Sequence, residues 1–261
     1  MQEQEIIVVK IGGSTLGGHD TTLEDVAELH NRGETVVVIH GGGALVNEWL
    51  TRLDMPTKFE RGLRVTDAAS LDIVVAVLGG LVNKQIVASL SALGVRAIGL
   101  SGADGKMLRA EVLDEKLGYV GEITYVEAAP LVRVILAAGI PVIAPIAIEQ
   151  KGDAVTTQLL NINADTAAGA ITAVLRPSRL IVTSDVPGVM DGETVLESLT
   201  PEKARALIAD GVIKGGMIPK VEACLAAVEA GCQAAIVDGR AENSVRALVD
   251  GTPTGTRFVS E

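Results

Sequence analysis

The sequence predicts an α/β protein, a three-layer α/β/α sandwich with a mainly parallel central sheet. Short runs rich in Val and Ile are apolar on both faces, which is typical of parallel strands covered by helices on both sides. Amphipathic stretches of helical length separate these runs, and such alternation favours βα units that build one parallel sheet. Hydrophobic residues make up 48% of the 261 residues, enough for a sizeable core.

Strands and helices alternate along the chain. We expect strands at 6–11, 35–40, 97–101, 142–148, 180–184 and 234–237. We expect helices at 22–31, 45–53, 67–93, 126–138, 165–174, 201–209, 220–230 and 242–249. The segment 105–124 interrupts the alternation, and it predicts short antiparallel strands inserted near one end of the sheet.

Residues that favour helix ends support these bounds. The pair Thr66-Asp67 can cap the long third helix, and Thr200 followed by Pro201 is typical of a helix start. Five glycines lie one or two residues after predicted helices: Gly33, Gly94, Gly139, Gly211 and Gly231. We expect each of these glycines to be the left-handed residue that ends a helix.

Charge and composition exclude several classes of partner. Lys and Arg number 22 and Asp and Glu number 33, so the net charge is −11. Such acidity disfavours nucleic acids and anionic membrane surfaces, which both bind basic faces. Aromatic residues make up only 2%, which nearly excludes stacking platforms for single strands or sugars. The apolar runs are too short to cross a bilayer. Cys224 and Cys232 lie too far apart along one predicted helix to form a disulfide. We therefore expect a cytoplasmic location.

Two of the predicted strands end in glycine runs. Parallel sheets bind ligands at the carboxyl ends of their strands. There, Lys10 is followed by Gly12 and Gly13, and His40 is followed by the run 41–43. Exposed N–H groups at such junctions can cradle an anion, and Lys10 adds a positive charge. Tight turns without a ligand are the alternative interpretation of either run alone.

Three further clusters carry polar groups at the starts of predicted helices. Arg64 precedes the long helix, where its guanidinium could bind a carboxylate, although a plain surface arginine is the alternative. The run 161–165 could supply site residues or only helix caps. Lys220 lies in the first turn of another helix, where a cation opposes the helix dipole. A locally unfavourable charge of this kind indicates a functional role.

Several common catalytic motifs are missing. The sequence contains neither the P-loop motif nor the Rossmann glycine fingerprint. Its three histidines (His19, His30, His40) lack the spacing of metal ligands. No Gly-x-Ser-x-Gly or Cys–His arrangement indicates a covalent nucleophile.

Eight short motifs occur in a fixed order along nearly the whole chain. They are VKIGG at 9–13, HGGG at 40–43, GLRVT at 62–66, VNK at 82–84, GYVG at 118–121, NINAD at 161–165, SDVPGV at 184–189 and GMIPK at 216–220. Each motif alone is weak evidence for any protein family. As an ordered set they resemble the amino acid kinase family, in particular its members that phosphorylate N-acetyl-L-glutamate.

The resemblance implies the amino acid kinase fold and a transfer of a phosphoryl group from ATP to the side-chain carboxylate of N-acetyl-L-glutamate, the second step of arginine biosynthesis. Lys10 and Lys220 would stabilise the transferring group, and Asp165 would hold both lysines. The N–H groups of Gly12, Gly13 and the turn 41–43 would surround the phosphoryl path. The residues implied to bind the acetylated substrate are Gly41, Gly42, Gly43, Arg64 and Asn161. The residues implied to bind the nucleotide, besides Gly12 and Gly13, are Ser184, Asp185, Val186, Pro187, Gly188, Val189, Met190, Val212, Ile213 and Lys214.

The same resemblance implies how the molecule is organised. Residues 1–175 would form a lobe for substrate binding and dimerisation, and residues 176–261 a lobe for ATP. Mg²⁺ would be held mainly by the ATP phosphates, with no protein metal site. Relatives that arginine inhibits carry an extra N-terminal helix, and only five residues precede the first predicted strand here, so we expect an arginine-insensitive homodimer without nucleic-acid or membrane partners.

Other readings of the motifs stay open. A kinase of the same fold could act on carrier-protein-linked aminoadipate or glutamate, but those enzymes favour Gly-Asp where this chain has Ala164-Asp165. Aspartate, uridylate and carbamate kinases share the glycine runs but not the combined Arg64 and Asn161 motifs. A non-catalytic sensor would require the loss of catalytic groups that are all present. One departure from relatives is Gly79-Gly80 inside the long helix, where we expect a packing reason or a kink.

Overall fold

The computed structural model describes residues 5–12, 21–60 and 62–260. These residues form the expected sandwich around an eight-stranded sheet. In spatial order its strands are β14 (Ser198–Leu199), β16 (Thr256–Phe258), β15 (Gln233–Asp238), β11 (Arg179–Ser184), β1 (Ile6–Ile11), β2 (Thr35–His40), β8 (Ile140–Ala144) and β5 (Ala97–Ser101). Among the described strand pairs of this sheet only β15–β16 is antiparallel, so the prediction of a mainly parallel sheet is confirmed.

Helices cover both faces of this sheet. One layer contains α5 (Ala129–Leu136), α6 (Ala164–Leu175), α7 (Pro201–Ala209) and α8 (Met217–Glu229). The other contains α1 (Thr22–Asn31), α2 (Gly43–Arg52), α3 (Ala68–Val75), α4 (Asn83–Ala92) and α9 (Ser244–Val249). Val8 belongs to the first core, and its neighbours Ile7 and Val9 belong to the second. Alternate side chains of a strand point to opposite faces, so a strand between two helical layers is apolar throughout.

A second sheet lies beside the first and contains four strands. In order these are β10 (Ala154–Asn161), β9 (Ile146–Lys151), β6 (Leu108–Val112) and β7 (Gly121–Val126). The antiparallel pair β6–β7 confirms the strands expected within 105–124, and two 3₁₀ turns flank β6, Asp104–Lys106 and Glu115–Leu117. Two short hairpins, β3–β4 (Phe59–Glu60, Leu63–Arg64) and β12–β13 (Met190–Asp191, Thr194–Val195), complete the described strands.

The expected strand 142–148 is wrong as a single element. It is split at Pro145 into β8 of the main sheet and β9 of the second sheet. Proline has no backbone N–H to continue a ladder, so the chain leaves the parallel sheet at this residue. The strand β10 had no counterpart among the expected elements, because its polar residues do not form an apolar run.

Helix ends follow the expected signals with one exception. Asp67 caps α3 by accepting a hydrogen bond from the N–H of Ser70, and Thr200 caps α7. Four of the five predicted glycines have the left-handed backbone conformation, but Gly139 does not. There α5 ends earlier than its pattern suggests, and Ala138 (φ 52°) takes the left-handed position instead.

The cysteines are free and buried, as expected. The reason given for excluding a disulfide is wrong, however, since α8 ends at Glu229 and Cys232 lies beyond it.

The long third helix is continuous but not uniform. A seven-residue π-helical segment, Ala76–Val82, separates α3 from α4 and contains Gly79 and Gly80. A Cβ on Gly79 would lie 3.2 Å from Cδ1 of Ile146, so this glycine permits close packing, whereas Gly80 has no neighbour within 4 Å. By length and composition alone the 25 residues Ala68–Ala92 could cross a membrane, and 39% of the most apolar window is buried in the fold.

Candidate active site

Three charged side chains meet where β1 faces the start of α6. Nζ of Lys10 lies 2.7 Å from Oδ1 of Asp165, and Nζ of Lys220 lies 2.9 Å from Oδ2 of the same carboxylate. Their side chains are 4%, 6% and 16% exposed for Lys10, Asp165 and Lys220 respectively. The structure therefore brings together all three residues that the resemblance implied to be catalytic, with a net charge of about +1 at neutral pH.

Helix α6 fixes the position of Asp165. Asn163 is its N-cap, and the side-chain oxygen of Asn163 accepts hydrogen bonds from the N–H groups of Asp165 and Thr166 at 2.9 and 3.1 Å. A carboxylate in the first turn of a helix is stabilised by the helix dipole. Asn163 is thus the cap, and Asp165 is left free to bind the lysines.

Helix α8 carries Lys220 in its first turn, where the helix dipole disfavours a cation. The ion pair with Asp165 offsets this cost, and it explains a charge that the helix alone would not favour.

The buried charges perturb one another. The pKa of Lys10 is lowered to about 8, because the lowering by burial and by the charge of Lys220 outweighs the opposing attraction of Asp165. Burial alone would raise the pKa of Asp165, but the attraction of Lys10 and Lys220 outweighs it, and that pKa lies below its usual value. At pH 7 the cluster therefore holds two ammonium groups around one carboxylate.

Glycine turns surround this cluster. The N–H of Gly12 donates to Oγ1 of Thr183 at 3.1 Å, which ties the turn after β1 to the end of β11. The N–H of Gly41 donates to the carbonyl of Ile11 at 2.9 Å. Gly42 has φ +149°, and a Cβ there would lie 2.7 Å from Cδ2 of Leu78, so only glycine fits. Gly13 lies outside the described residues.

Arg64 is held in place by three groups of the fold. Its NH1 donates to Oδ1 of Asn47 at 2.5 Å, and its NH2 donates to the carbonyl of Gly43 at 3.0 Å. Its guanidinium carbon lies 4.9 Å from the ring centroid of Phe59, a cation–π distance. The residue is only 9% exposed, and burial lowers the pKa of this guanidinium without discharging it.

Asn161 is connected to Arg64 through Thr66. Its Nδ2 donates to Oγ1 of Thr66 at 3.1 Å, and this hydroxyl donates to the carbonyl of Arg64 at 2.9 Å. Thr66 is fully buried. The two residues expected to bind a substrate carboxylate thus lie on one rigid hydrogen-bonded path.

One cavity of about 220 Å³ contacts these groups together. It is lined by Lys10, Asp165, Arg64, Asn161 and the turn 41–43, with the remaining lining mostly apolar. A larger cavity of about 520 Å³ lies at the amino ends of β11 and β15, the opposite edge of the sheet. Parallel sheets place ligands at the carboxyl ends of their strands, so the smaller cavity is the candidate site.

Residues 5–238 match the amino acid kinase family. The chain belongs to this family. It is 42% identical over 261 residues to an acetylglutamate kinase of Dehalococcoides mccartyi, covering 98% of this chain and 95% of that one. It is 43% identical to an acetylglutamate kinase of Agrobacterium fabrum, covering 98% of this chain and 92% of that one.

Solved structures resemble the fold of this amino acid kinase over its full length. The smu.665 protein of Streptococcus mutans matches with a TM-score of 0.84 at 31% identity, covering 99% of this chain and 100% of that one. A Giardia carbamate kinase matches with a TM-score of 0.72 at 15% identity, covering 100% of both chains, and this likeness shows the fold alone.

The segments expected to bind the nucleotide follow the neighbouring strand of the kinase. Lys10 pairs with Val182 across β1 and β11, so the loop after Ser184 starts at the same sheet edge as the lysine cluster. Asp185, Val186, Pro187, Met190, Val212 and Lys214 are at least partly exposed. Ser184, Gly188, Val189 and Ile213 are buried.

Two side chains of the site were not expected from the sequence. Asn47 and Phe59 hold the guanidinium of Arg64. Asn47 lies four residues after Gly43, one helical turn into α2, and this spacing could have indicated it. Phe59 belongs to a two-residue strand with no pattern to reveal it.

Proposed function

We propose that this amino acid kinase transfers the γ-phosphoryl group of ATP to the side-chain carboxylate of N-acetyl-L-glutamate, giving N-acetylglutamyl 5-phosphate in the second step of arginine biosynthesis. The buried Lys10–Asp165–Lys220 cluster beside the cavity of Arg64 carries the proposal. Relatives over nearly the whole chain, each named acetylglutamate kinase, support the choice of substrate.

The reaction needs no general base. A carboxylate nucleophile is already ionised at pH 7. One of its oxygens forms a bond to the γ-phosphorus, the bond from phosphorus to the bridging oxygen breaks, and the electron pair leaves with ADP. Among the described residues, His40 is the only histidine close to the cavity. It is buried, and burial lowers its pKa to about 4. A neutral imidazole beside the site is consistent with this chemistry.

Lys10 and Lys220 supply the positive charge that the transfer requires. Phosphoryl transfer passes through a loose transition state in which charge spreads over the equatorial oxygens. Fixed ammonium groups stabilise this charge without reorganising, and a buried site strengthens the effect. Asp165 forms ion pairs with both lysines and holds their Nζ atoms 2.7 and 2.9 Å from its oxygens.

The cavity suits a small dicarboxylic acid. Its volume of about 220 Å³ lies below the range of about 300–1,000 Å³ for typical ligand pockets, which leaves the nucleotide outside it. Arg64 and Asn161 would bind the backbone carboxylate, since a guanidinium held on one side by Asn47 still presents donors to a ligand. The N–H groups of Gly42 and Gly43 would contact the acetylated substrate near the phosphoryl path, since the N–H of Gly41 already donates to the carbonyl of Ile11.

The nucleotide would lie along the loop 184–190 and the segment 212–214, at the end of β11. Among the described residues no three His, Cys, Asp or Glu side chains are grouped as metal ligands, and both oxygens of Asp165 already face lysines. Protein groups therefore do not fit a resident metal site. Mg²⁺ would arrive with ATP and be held mainly by its phosphates, and no step above depends on it.

The proposal extends to location and assembly. The two cysteines of the protein are free and buried, which suits a reducing cytoplasm. The resemblance to the family supports a homodimer, with residues 1–175 as the lobe for substrate and dimerisation and 176–261 as the lobe for ATP.

Trapping the product with hydroxylamine tests this function. An acyl phosphate reacts to a hydroxamate, so we expect ATP-dependent hydroxamate with N-acetylglutamate. Glutamate, aspartate, N-acetylaspartate and uridylate serve as comparison substrates, and carrier-linked glutamate tests the nearest alternative. Hydroxamate with another acid at equal efficiency, or none with N-acetylglutamate, would contradict the proposal.

A further inference from the structure

A buried polar pair lies under the glycine turn and takes no part in the chemistry proposed above. His40 is the last residue of β2, and Asn83 is the first residue of α4, directly after the π-helical segment. Both are completely buried, and Nδ2 of Asn83 lies 3.2 Å from Nε2 of His40. A buried polar pair of this kind is costly unless each group is satisfied, so its partners define its role.

The partners of His40 determine its tautomer. Nδ1 lies 2.7 Å from the carbonyl oxygen of Gly41. A carbonyl oxygen can only accept, so Nδ1 carries the hydrogen and donates it. Nε2 of a neutral ring is then an acceptor, which matches the amide of Asn83. Burial lowers the pKa of His40 to about 4, so the ring is neutral when the enzyme works.

The orientation of Asn83 is equally determined. Its Nδ2 lies 2.9 and 3.2 Å from the carbonyl oxygens of Val142 and Leu100 and 3.2 Å from Nε2 of His40, so its two hydrogens are shared among three acceptors. Its Oδ1 accepts from Nζ of Lys84 at 3.0 Å. A flipped amide would place its oxygen against three acceptors. Asn83 therefore anchors His40 to two strands of the main sheet, β8 and β5.

The bond from His40 determines the direction of the next peptide group. The Gly41–Gly42 peptide is planar and trans, so its C=O and N–H point in opposite directions. The carbonyl points to the buried imidazole, and Gly42 lines the active-site cavity. Within the described residues the N–H of Gly42 has no protein acceptor. The π-helical segment packs Leu78 and Val82 against Gly42, where a Cβ would lie 2.7 Å from Cδ2 of Leu78 and 3.1 Å from Cγ2 of Val82.

We infer that His40, anchored by Asn83, is a positioning residue that aims the N–H of Gly42 at the anionic group reacting in the cavity. The inference rests on the proposed function and adds a residue to it. It accounts for the VNK motif at 82–84, which the catalytic cluster does not use. A donor fixed before substrate arrives stabilises developing charge at no cost in reorganisation.

Two substitutions of His40 separate positioning from simple packing. In His40→Asn the amide nitrogen takes the place of Nδ1 and keeps a donor for Gly41. In His40→Gln the amide takes the place of Nε2, which keeps a partner for Asn83 but loses the donor to Gly41. Ile86→Ala, one turn further along α4 and equally buried, is the control for loss of packing alone.

We expect kcat to depend on whether the side chain at position 40 keeps a hydrogen-bond donor for the Gly41 carbonyl. His40→Gln should lower kcat by about 10–100-fold, the scale of a misplaced catalytic donor, with the KM for ATP within about twofold. His40→Asn should stay within about fivefold of the wild-type kcat. Ile86→Ala should lower Tm and leave kcat unchanged. Equal kcat values for the two His40 variants, or losses that follow Tm as in Ile86→Ala, would overturn the inference.

The tautomer is measured without any substrate. Long-range ¹⁵N–¹H NMR of protein labelled at histidine should show the Nδ1–H form for His40, its signals assigned by their loss in His40→Asn. An Nε2–H form would overturn the inference. A wild-type protein that fails to phosphorylate N-acetylglutamate overturns the proposed function, while the tautomer still decides whether His40 holds the Gly41 carbonyl.

Discussion

At the scale of single residues, the site concentrates buried charge in a few side chains. Lys10, Asp165 and Arg64 are each less than 10% exposed, and each has an oppositely charged or polar partner. Removing one member of such a set leaves another buried and unpaired, which costs more than the lost contact itself. The effects of substitution are therefore expected to be large and to differ between turnover and stability.

Lys10→Ala and Lys220→Ala should each lower kcat by about 10²–10³-fold, because each removes a fixed charge from the transferring group. The fold should persist, since Asp165 keeps one lysine in either variant. Steady-state kinetics with circular dichroism checks this, with the exposed Lys203→Ala as the control. Turnover near that of the wild type in both variants would contradict the mechanism.

Arg64→Ala should raise the KM for N-acetylglutamate about 10–100-fold and leave the KM for ATP within about twofold, because a charged hydrogen bond contributes about 1.5–3 kcal/mol. Arg64→Lys keeps the charge but not the planar contacts to Asn47 and Gly43, so it should recover little. The two Michaelis constants measured side by side decide the outcome. An equal rise in both would show that Arg64 does not bind the substrate carboxylate.

His40 should make stability sensitive to mild acid. Its folded pKa of about 4 lies below the unfolded value near 6.5, so between these pH values the unfolded chain binds a proton that the folded protein excludes. Folding stability should therefore fall by about 2 kcal/mol between pH 7 and pH 4.5 through this group alone. Urea unfolding of the wild type and of His40→Asn at both pH values measures the difference. If both proteins lose the same stability, His40 is not a buried neutral group.

The residue types of the site, and the hold of Asp165 on both lysines, could be predicted from the sequence, but the contacts around Arg64 and His40 could not. Lys10, Asp165 and Lys220 stand in motifs, and their pairing follows from the fold. The hold of Asn47 on Arg64 and of Asn83 on His40 depends on side-chain geometry between elements far apart in sequence. A local sequence pattern does not predict contacts between elements that are far apart in the sequence.

At the scale of secondary-structure elements, apolar pattern predicts where strands and helices lie and fails where the chain changes sheets. The run 142–148 is apolar on both sides of Pro145, so it gives no sign that β8 and β9 belong to different sheets. The long helix was predicted nearly to its ends, yet its π-helical segment was not, because an extra residue in one turn leaves the apolar pattern almost unchanged.

The two glycines of the π-helical segment should respond differently to alanine. Gly80 is exposed with no atom near a new Cβ, so Gly80→Ala should stabilise the protein by about 0.5–1 kcal/mol. At Gly79 the new methyl would press on Ile146 at 3.2 Å, and this contact should cancel the gain. Urea unfolding of both variants tests the pair. A Gly79→Ala protein as stable as Gly80→Ala would contradict close packing against Ile146.

At the scale of the whole molecule, net charge is a poor guide to the ligand. The chain carries −11, yet the proposed substrates are both anions. Two lysines, one arginine and glycine N–H groups form a local positive region within an acidic surface. The acidity still disfavours nucleic acids, because they bind an extended basic surface rather than a single small positive site.

The long helix leads to the prediction of a homodimer. Its residues 68–92 are as apolar as a membrane span, but only 39% of the most apolar window is buried in one chain. Ala76 and Ala88 lie on its exposed side, together with the charged Asp72 and Lys84. In the proposed homodimer, a second copy of the chain would cover the small apolar residues of this side with the same side of its own helix.

Sedimentation equilibrium should therefore give twice the chain mass of 27.0 kDa. Ala76→Asp should shift the protein to monomer, because the interface would bury an unpaired charge. Ala206→Asp, on the exposed side of α7, places the same charge on a helix of the other layer and should leave the dimer intact. A monomeric wild type would overturn the prediction, and a dimer that survives Ala76→Asp would place the interface on another face.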